Sequence, residues 1–134
     1  MFIISLMCIF TLLAQAATLP QSSTGLYRGW YTNSQGQLCL DLNVSQNMAT
    51  FSFYSWPGTS LANGDYSMSV GYKTNGKITL RGIEWTNKPY GWEFVDLVGQ
   101  ISDGIFSGNV YWGSDATRQD KGKKIGKFSV IKIV

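Results

Sequence analysis

Beyond Pro20 the chain alternates apolar and polar side chains with a period of two, and no stretch carries the i, i+3, i+4, i+7 spacing of an amphipathic helix. Leu38, Leu40, Leu42 and Val44 make one apolar face, Phe51 and Phe53 a second, and Tyr66, Met68, Val70 and Tyr72 a third. Ile78 and Leu80, then Val95, Leu97 and Ile101, then Phe106, Val110 and Trp112, and finally Phe128 and Val130 continue the series. The series predicts about eight strands of roughly five to ten residues. Between them stand Ser34-Gln35-Gly36, Asn63-Gly64-Asp65, Thr74-Asn75-Gly76 and Asp103-Gly104, residue types that accept the positive φ of tight turns. Short turns make sequence neighbours antiparallel, so the predicted fold is all-β, a meander that closes into a small barrel or folds into a sandwich. The last strand, 125–134, is long and apolar and would invite aggregation as a free edge; pairing it with the first, 25–32, removes that edge. Residues 113–122 form a polar loop between the last two strands.

Ahead of this pattern residues 1–13 are almost unbroken apolar, and Ala14-Gln15-Ala16 supplies the small-x-small sequence of a signal peptidase site. The apolar run is shorter than the roughly 20 residues that cross a bilayer. The expected organisation is a cleaved signal peptide over 1–16, an N-terminal linker over 17–24 and a single β domain over 25–134, secreted or periplasmic, with no transmembrane segment in the mature chain. No Lys or Arg precedes Arg28, so the basic start of such a leader rests on the terminal amine. Leu6-Met7 lacks the small residue that precedes a lipidated Cys8. Removing Cys8 leaves Cys39 alone, without an internal disulfide partner. Its place between Leu38 and Leu40 predicts a half-buried thiol on the opposite face of the strand.

Composition then narrows the function classes. A length of 134 residues fits one domain. Only 14% of residues are charged, against about 25% in typical domains, while five Trp, seven Tyr and seven Phe mark a folded chain. There is no His, which removes the commonest general base, the usual metal ligand and the middle member of Ser-His and Cys-His arrangements. No cofactor, no metal and no enzymatic activity are expected. A carboxylate pair is the remaining catalytic option: Glu84 and Glu93, the only Glu in the chain, flank an aromatic segment, although a polar outer face would carry them as well. The net charge of +3 comes mostly from Arg118, Lys121, Lys123, Lys124, Lys127 and Lys132, set against Asp115 and Asp120. Such a patch suits anionic lipid, cell-wall polymer or an acidic protein, or serves as a solvated loop and edge guard. It is too weak for nucleic acid. Asn43-Val44-Ser45 is a glycosylation sequon.

The aromatic residues concentrate at two places. Glu84-Trp85-Thr86-Asn87-Lys88-Pro89-Tyr90-Gly91-Trp92-Glu93-Phe94 gathers two Trp, a Tyr, a Pro and a Gly in what reads as one hairpin tip. Rings on a loop offer flat apolar faces to the C–H faces of sugars, while Asn87, Lys88 and Glu93 can bond hydroxyls. In a plainer role Trp85 and Trp92 plug the barrel end and Pro89-Tyr90-Gly91 shapes the turn. Tyr54-Ser55-Trp56-Pro57-Gly58 ends an earlier strand in the same style, and alternating strand directions put both segments on one rim. Trp30 and Trp112, inside strands beside Tyr31 and Tyr111, read as core, with the wall of an internal ligand cavity as the other option.

Candidate ligand contacts are therefore Trp85, Asn87, Lys88, Tyr90, Trp92, Glu93, Tyr54 and Trp56. The expected function is non-catalytic recognition of a glycan or cell-envelope polymer. A protein-binding inhibitor or immunity factor of a secreted enzyme would use the same Tyr and Trp as anchors. A barrel holding a small apolar ligand is the third reading.

From about Tyr27 to Ile133 the chain resembles a small β-rich domain of bacterial extracytoplasmic proteins, through Gly64-Asp65-Tyr66, Trp85 with Pro89 and Gly91, Leu97 with Gly99, Gly108 and Phe128. The family pattern has an early Tyr-x-Cys, a Trp-x-x-x-Pro-x-Gly segment leading into Leu-x-Gly, and a final Cys-x-x-Phe. Its Cys positions fall here at about Asn33 and Ile125, so the disulfide that the resemblance implies is not kept. The resemblance implies a β fold and an extracytoplasmic location and carries no established activity. Over shorter segments, Gly29-Trp30-Tyr31-Thr32-Asn33 and Ile105-Phe106-Ser107-Gly108, the chain is similar to avidin-like and other calycin barrels. Met68 and Leu97 stand near places where such barrels would put polar or Trp contacts for biotin.

Overall fold

Alternation becomes nine strands: β1 (Ala16–Ala17), β2 (Gly25–Asn33), β3 (Gly36–Val44), β4 (Met48–Ser55), β5 (Gly64–Lys73), β6 (Ile78–Asn87), β7 (Val95–Ser102), β8 (Ile105–Trp112) and β9 (Lys124–Lys132). The structure is a computed structural model and describes residues 15–114, 116 and 118–134. From β2 to β9 each strand pairs antiparallel with its sequence neighbour, and β9 closes on β2 with Tyr31 opposite Phe128 and Tyr27 opposite Lys132. The result is an eight-stranded closed barrel, the first of the two forms that the alternation allowed. β1 adds to β5 at Tyr72 and Lys73, beyond the segment that pairs with β4.

Inward positions are filled by Tyr27, Tyr31, Leu38, Leu40, Leu42, Phe51, Tyr66, Met68, Leu80, Leu97, Phe106, Val110, Phe128 and Val130, all at or near zero exposure. Most outward positions on the same strands are polar, such as Asp41, Asn43, Thr50, Ser52, Ser67, Ser69, Ser107, Asn109 and Lys127, with Trp30, Cys39 and Ile131 among the exceptions. A membrane-spanning barrel has the reverse arrangement, apolar outside and polar within. No helix among the described residues is long and apolar enough to cross a membrane. Small inward residues make room for the rings, since large and small side chains must alternate in a narrow barrel. Gly99 and Gly108 face each other across β7 and β8, and the Phe128 ring lies against the space that a Gly99 side chain would need.

Trp30 corrects the core reading made for it. Tyr27 and Tyr31 take the inward positions of β2, which turns Trp30 outward, half-buried, opposite Cys39 on one side and Ser129 on the other. Trp112 is inward, as expected of a core residue. Cys39 is half-buried on the outer wall, and burial together with the Asp41 charge raises its pKa.

The two barrel ends differ. Turns 45–47, 74–77 and 103–104 are short and share one end with the N-terminal segment. Residues 17–24, read as a linker, lie against that end: Leu19 is 1% exposed, Gln46 Nε2 donates to its carbonyl at 3.0 Å, and a 3-10 turn at Gln21–Ser23 brings the Ser23 carbonyl to the Tyr27 hydroxyl. The signal peptide expected over 1–16, and Cys8 with it, lies outside the described residues as far as residue 14. Loops 34–35, 56–63 and 88–94, and the described residues between β8 and β9, all emerge at the opposite end.

Candidate functional site at the loop end

Two bulges in β6 shape this end. Ser67 faces Glu84 while Met68 faces Gly82, and Asp65 faces Asn87 while Tyr66 faces Trp85, so Ile83 and Thr86 are the extra residues. A bulge bends and coils its strand. Ile83 is thereby thrown outward, Trp85 turns towards the interior, and β6 pairs with β7 only over Ile78–Leu80. Glu84, Trp85 and Asn87 thus belong to a strand, and the tip proper begins at Lys88.

Phe94 and Asp96 fill the seam left between β6 and β7. A side chain at Gly82 would come within 2.7 Å of Phe94 Cδ1, so only glycine lets the ring in. The Trp85 ring stacks on Phe94 at 5.3 Å, and Tyr66 meets both edge-on. Asp96 is 9% exposed; its Oδ1 accepts the Gly82 N–H at 3.0 Å, and its Oδ2 accepts the Ser114 N–H at 3.1 Å and the Ser114 hydroxyl at 3.2 Å. Burial raises the Asp96 pKa above the ordinary carboxylate value, with these donors and the Arg81 charge pulling the other way. The carboxylate therefore ties β6, β7 and the β8–β9 loop where the ladder is missing.

Above the seam, Pro89-Tyr90-Gly91-Trp92 forms a turn closed by Trp92 N–H to the Pro89 carbonyl at 3.3 Å, with Gly91 at φ 80° in its third position. That positive φ is what a type II turn requires. The turn presents Tyr90 fully exposed, while Trp92 folds back and stacks on Phe53 at 5.0 Å. Tyr66 anchors the layer below: its hydroxyl accepts the Val95 N–H and donates to the Val95 carbonyl, both at 3.0 Å. Tyr66→Phe is expected to cost about 1–3 kcal/mol, because both buried backbone groups lose their partner. Urea unfolding checks it; an unchanged midpoint would mean that Val95 finds other partners.

Beside this turn lies a cup of about 70 Å³, floored by Tyr31, Phe53, Tyr66, Val95 and Trp112 and rimmed by Asn33, Gln35, Trp92, Glu93 and Arg118. The Arg118 guanidinium sits 4.0 Å from the Trp112 ring centroid and pairs with Asp120 at 2.8 Å. The Asp120 partner raises the Arg118 pKa, and Arg118 in turn lowers that of Asp120. Asn33 Oδ1 accepts the Gln35 N–H at 2.8 Å and shapes the first rim loop.

The sequence-derived candidates divide accordingly. Trp92 and Glu93 line the cup, Tyr90 projects beside it, and Trp85 packs beneath it. Asn87 and Lys88 are exposed where β6 passes into the tip. Pro89 abuts Gly64, where the loop carrying Trp56 returns to the barrel, so both aromatic loops share this end. Trp56 is 37% exposed. Tyr54 stands apart on the outer wall, its hydroxyl 3.2 Å from Asp41 Oδ1, next to the Arg28–Asp41 ion pair. Sequence reasoning missed Asn33, Gln35 and Asp96; the signal for Asp96 was a lone acid within the apolar run Phe94-Val95-Asp96-Leu97-Val98. Among the described residues no group of three or more acidic or Cys side chains has metal-holding geometry. Comparison with family models, curated proteins and solved structures yields no match for this chain.

Proposed function

We propose that the protein is a secreted or periplasmic, non-catalytic binding domain that recognises a carbohydrate or cell-envelope ligand at the loop end of the barrel. The observation that carries this reading is the pairing of exposed rings, Tyr90 and Trp56, with a cup whose walls are aromatic and whose rim holds Asn33, Gln35, Glu93 and Arg118. Apolar faces with a few convergent polar groups are the common composition of small-ligand sites. The cup is small, so it suits one projecting group of a larger ligand, with the rest lying across Tyr90 and Trp56.

Tryptophan fluorescence titrated with oligosaccharides and peptidoglycan fragments tests the proposal, because Trp92 and Trp112 both line the cup. A saturable change is expected, weakened about tenfold in Tyr90→Ala with an unchanged melting temperature, since a fully exposed ring contributes little to stability. Tyr90 is a cleaner probe than Trp92, whose stacking on Phe53 also serves the fold. A flat response across the panel would reject the reading. One observation favours a second reading, a protein-binding inhibitor: a hydrogen-bonded turn holding a fully exposed Tyr suits insertion into a partner's cleft. In that case a secreted protein co-purifies with the wild type and is lost in Tyr90→Ala.

A further inference from the structure

We infer that the outer wall of the barrel, where β8, β9 and β2 run side by side, carries a separate site for an acidic saccharide. The inference takes its ligand class from the proposed function but not its location, which lies on the strands and not at the loops. Trp30 faces outward there; Ser129 stands opposite it on β9, and Ser107 stands opposite Ser129 on β8. Two of the smallest polar side chains beside a half-buried indole leave a trough, and the neighbouring pair, Asn109 and Lys127, bounds it further along the strands. The trough measures about 360 Å³ and lies open to solvent along the wall.

Its chemistry points to the occupant. Among the described residues the side chains of Ser107, Ser129, Asn109 and Lys127 have no hydrogen-bond or ion-pair partner, so hydroxyl, amide and ammonium groups stand open to a ligand. Hydroxyls and an amide both donate and accept, which matches the hydroxyls of a sugar ring, and the indole face offers a surface for its C–H groups. Charge selects further. β2, β8 and β9 contain no Asp or Glu, while they carry Arg28, Lys124, Lys127 and Lys132. Arg28 is paired with Asp41 of β3, and the Lys132 ammonium donates to the Ser22 carbonyl; Lys127 has no such partner among the described residues. A sugar carboxylate would meet Lys127 while the ring lies on Trp30 and its hydroxyls reach Asn109, Ser107 and Ser129.

The test is a titration of the purified, nitrogen-15-labelled protein with glucuronic and galacturonic acid disaccharides and with their neutral counterparts, read by amide and indole chemical shifts. Saturable shifts are expected at the Trp30 indole N–H and at the amides of Ser107, Asn109, Lys127 and Ser129, with the acidic sugars binding several-fold tighter. Lys127→Gln should abolish that preference. Trp30→Ala should weaken binding about tenfold. Ser129→Val, which fills the trough with a side chain that favours strands, should do the same and covers the case in which Trp30→Ala unfolds. Absence of shifts at these residues, equal binding of neutral and acidic sugars, or binding that survives Ser129→Val would overturn the inference. Shifts at Gly91, Trp92 and Glu93 report the loop-end site in the same spectra, so either site can fail while the other stands.

Discussion

Phe51→Ala is expected to lower stability by about 3–5 kcal/mol, the range for removing a fully buried ring. Phe51 has no exposed surface and sits at the centre of the interior, stacked on Tyr66 at 4.6 Å and meeting Tyr31 at 5.1 Å and Phe53 at 5.9 Å. The cavity left behind cannot collapse readily, because those three rings belong to strands whose registers the closed barrel holds. For a domain of this size the loss corresponds to a fall in melting temperature of about 12–20 °C. Thermal unfolding followed by circular dichroism measures it. A fall under about 4 °C would mean that the neighbouring rings repack into the space, and that the aromatic layer is less rigid than its geometry implies.

Asp96→Ala is expected to cost about 2–5 kcal/mol, because the N–H groups of Gly82 and Ser114 lose their acceptor in a seam that no ladder closes. The wild-type carboxylate also gives stability a pH dependence of unusual sign. Its folded-state pKa lies above the unfolded value of about 3.8, so the native state holds the proton more tightly than the unfolded chain. Stability contributed through this proton is complete below that value and is lost as pH rises through the folded-state pKa. A carboxylate held by ion pairs behaves oppositely. Asp96→Asn removes the titration while keeping one acceptor, so the difference in unfolding free energy between wild type and Asp96→Asn should shrink as the pH rises from below the unfolded value through the folded-state pKa. Urea unfolding at stepped pH gives this difference directly. A constant difference would place the Asp96 pKa at its ordinary value and remove burial as the dominant influence.

Alternation foretold the all-β fold and most of the strands, leaving a barrel and a sandwich both open, because the inward side chains from Leu38 to Val130 are mostly apolar and the turns carry Gly, Asn or Asp. The long apolar β9 pointed to its partner β2, since no other strand was left to cover it. What failed to come through has a common physical cause: positions at which a residue's neighbours across the sheet, and not along the chain, decide its role. Trp30 reads as core until Tyr27 and Tyr31 occupy the interior. Glu84 and Trp85 read as a loop tip because the bulges at Ile83 and Thr86 break the alternation that would have marked a strand. At the loop end the aromatic composition was evident from sequence, and so was the common rim of the two aromatic loops. The division between packed rings, Trp85 and Trp92, and projecting ones, Tyr90 and Trp56, was not, because it depends on Phe53 and Phe94 being there to receive them.

The closure of β9 on β2 also brings the two ends of the barrel's chain together: Leu26 N–H donates to the Val134 carbonyl at 3.1 Å, and Ile133 N–H donates to that of Leu26 at 2.8 Å. A few added residues could therefore join Val134 to the start of β2, with loss of β1 and Leu19, and the chain could be reopened at the exposed Asp103–Gly104 turn without cutting a ladder among β2 to β9. Such a circular permutant would keep the loop end and the outer wall intact while moving both termini to a different strand pair. It would turn the β2–β9 pairing into a local hairpin and make β7–β8, then the last strand against the first, the pairing that closes the barrel. Folding rate follows such sequence separations, and here one local hairpin is exchanged for another, so the permuted barrel should close at a similar rate.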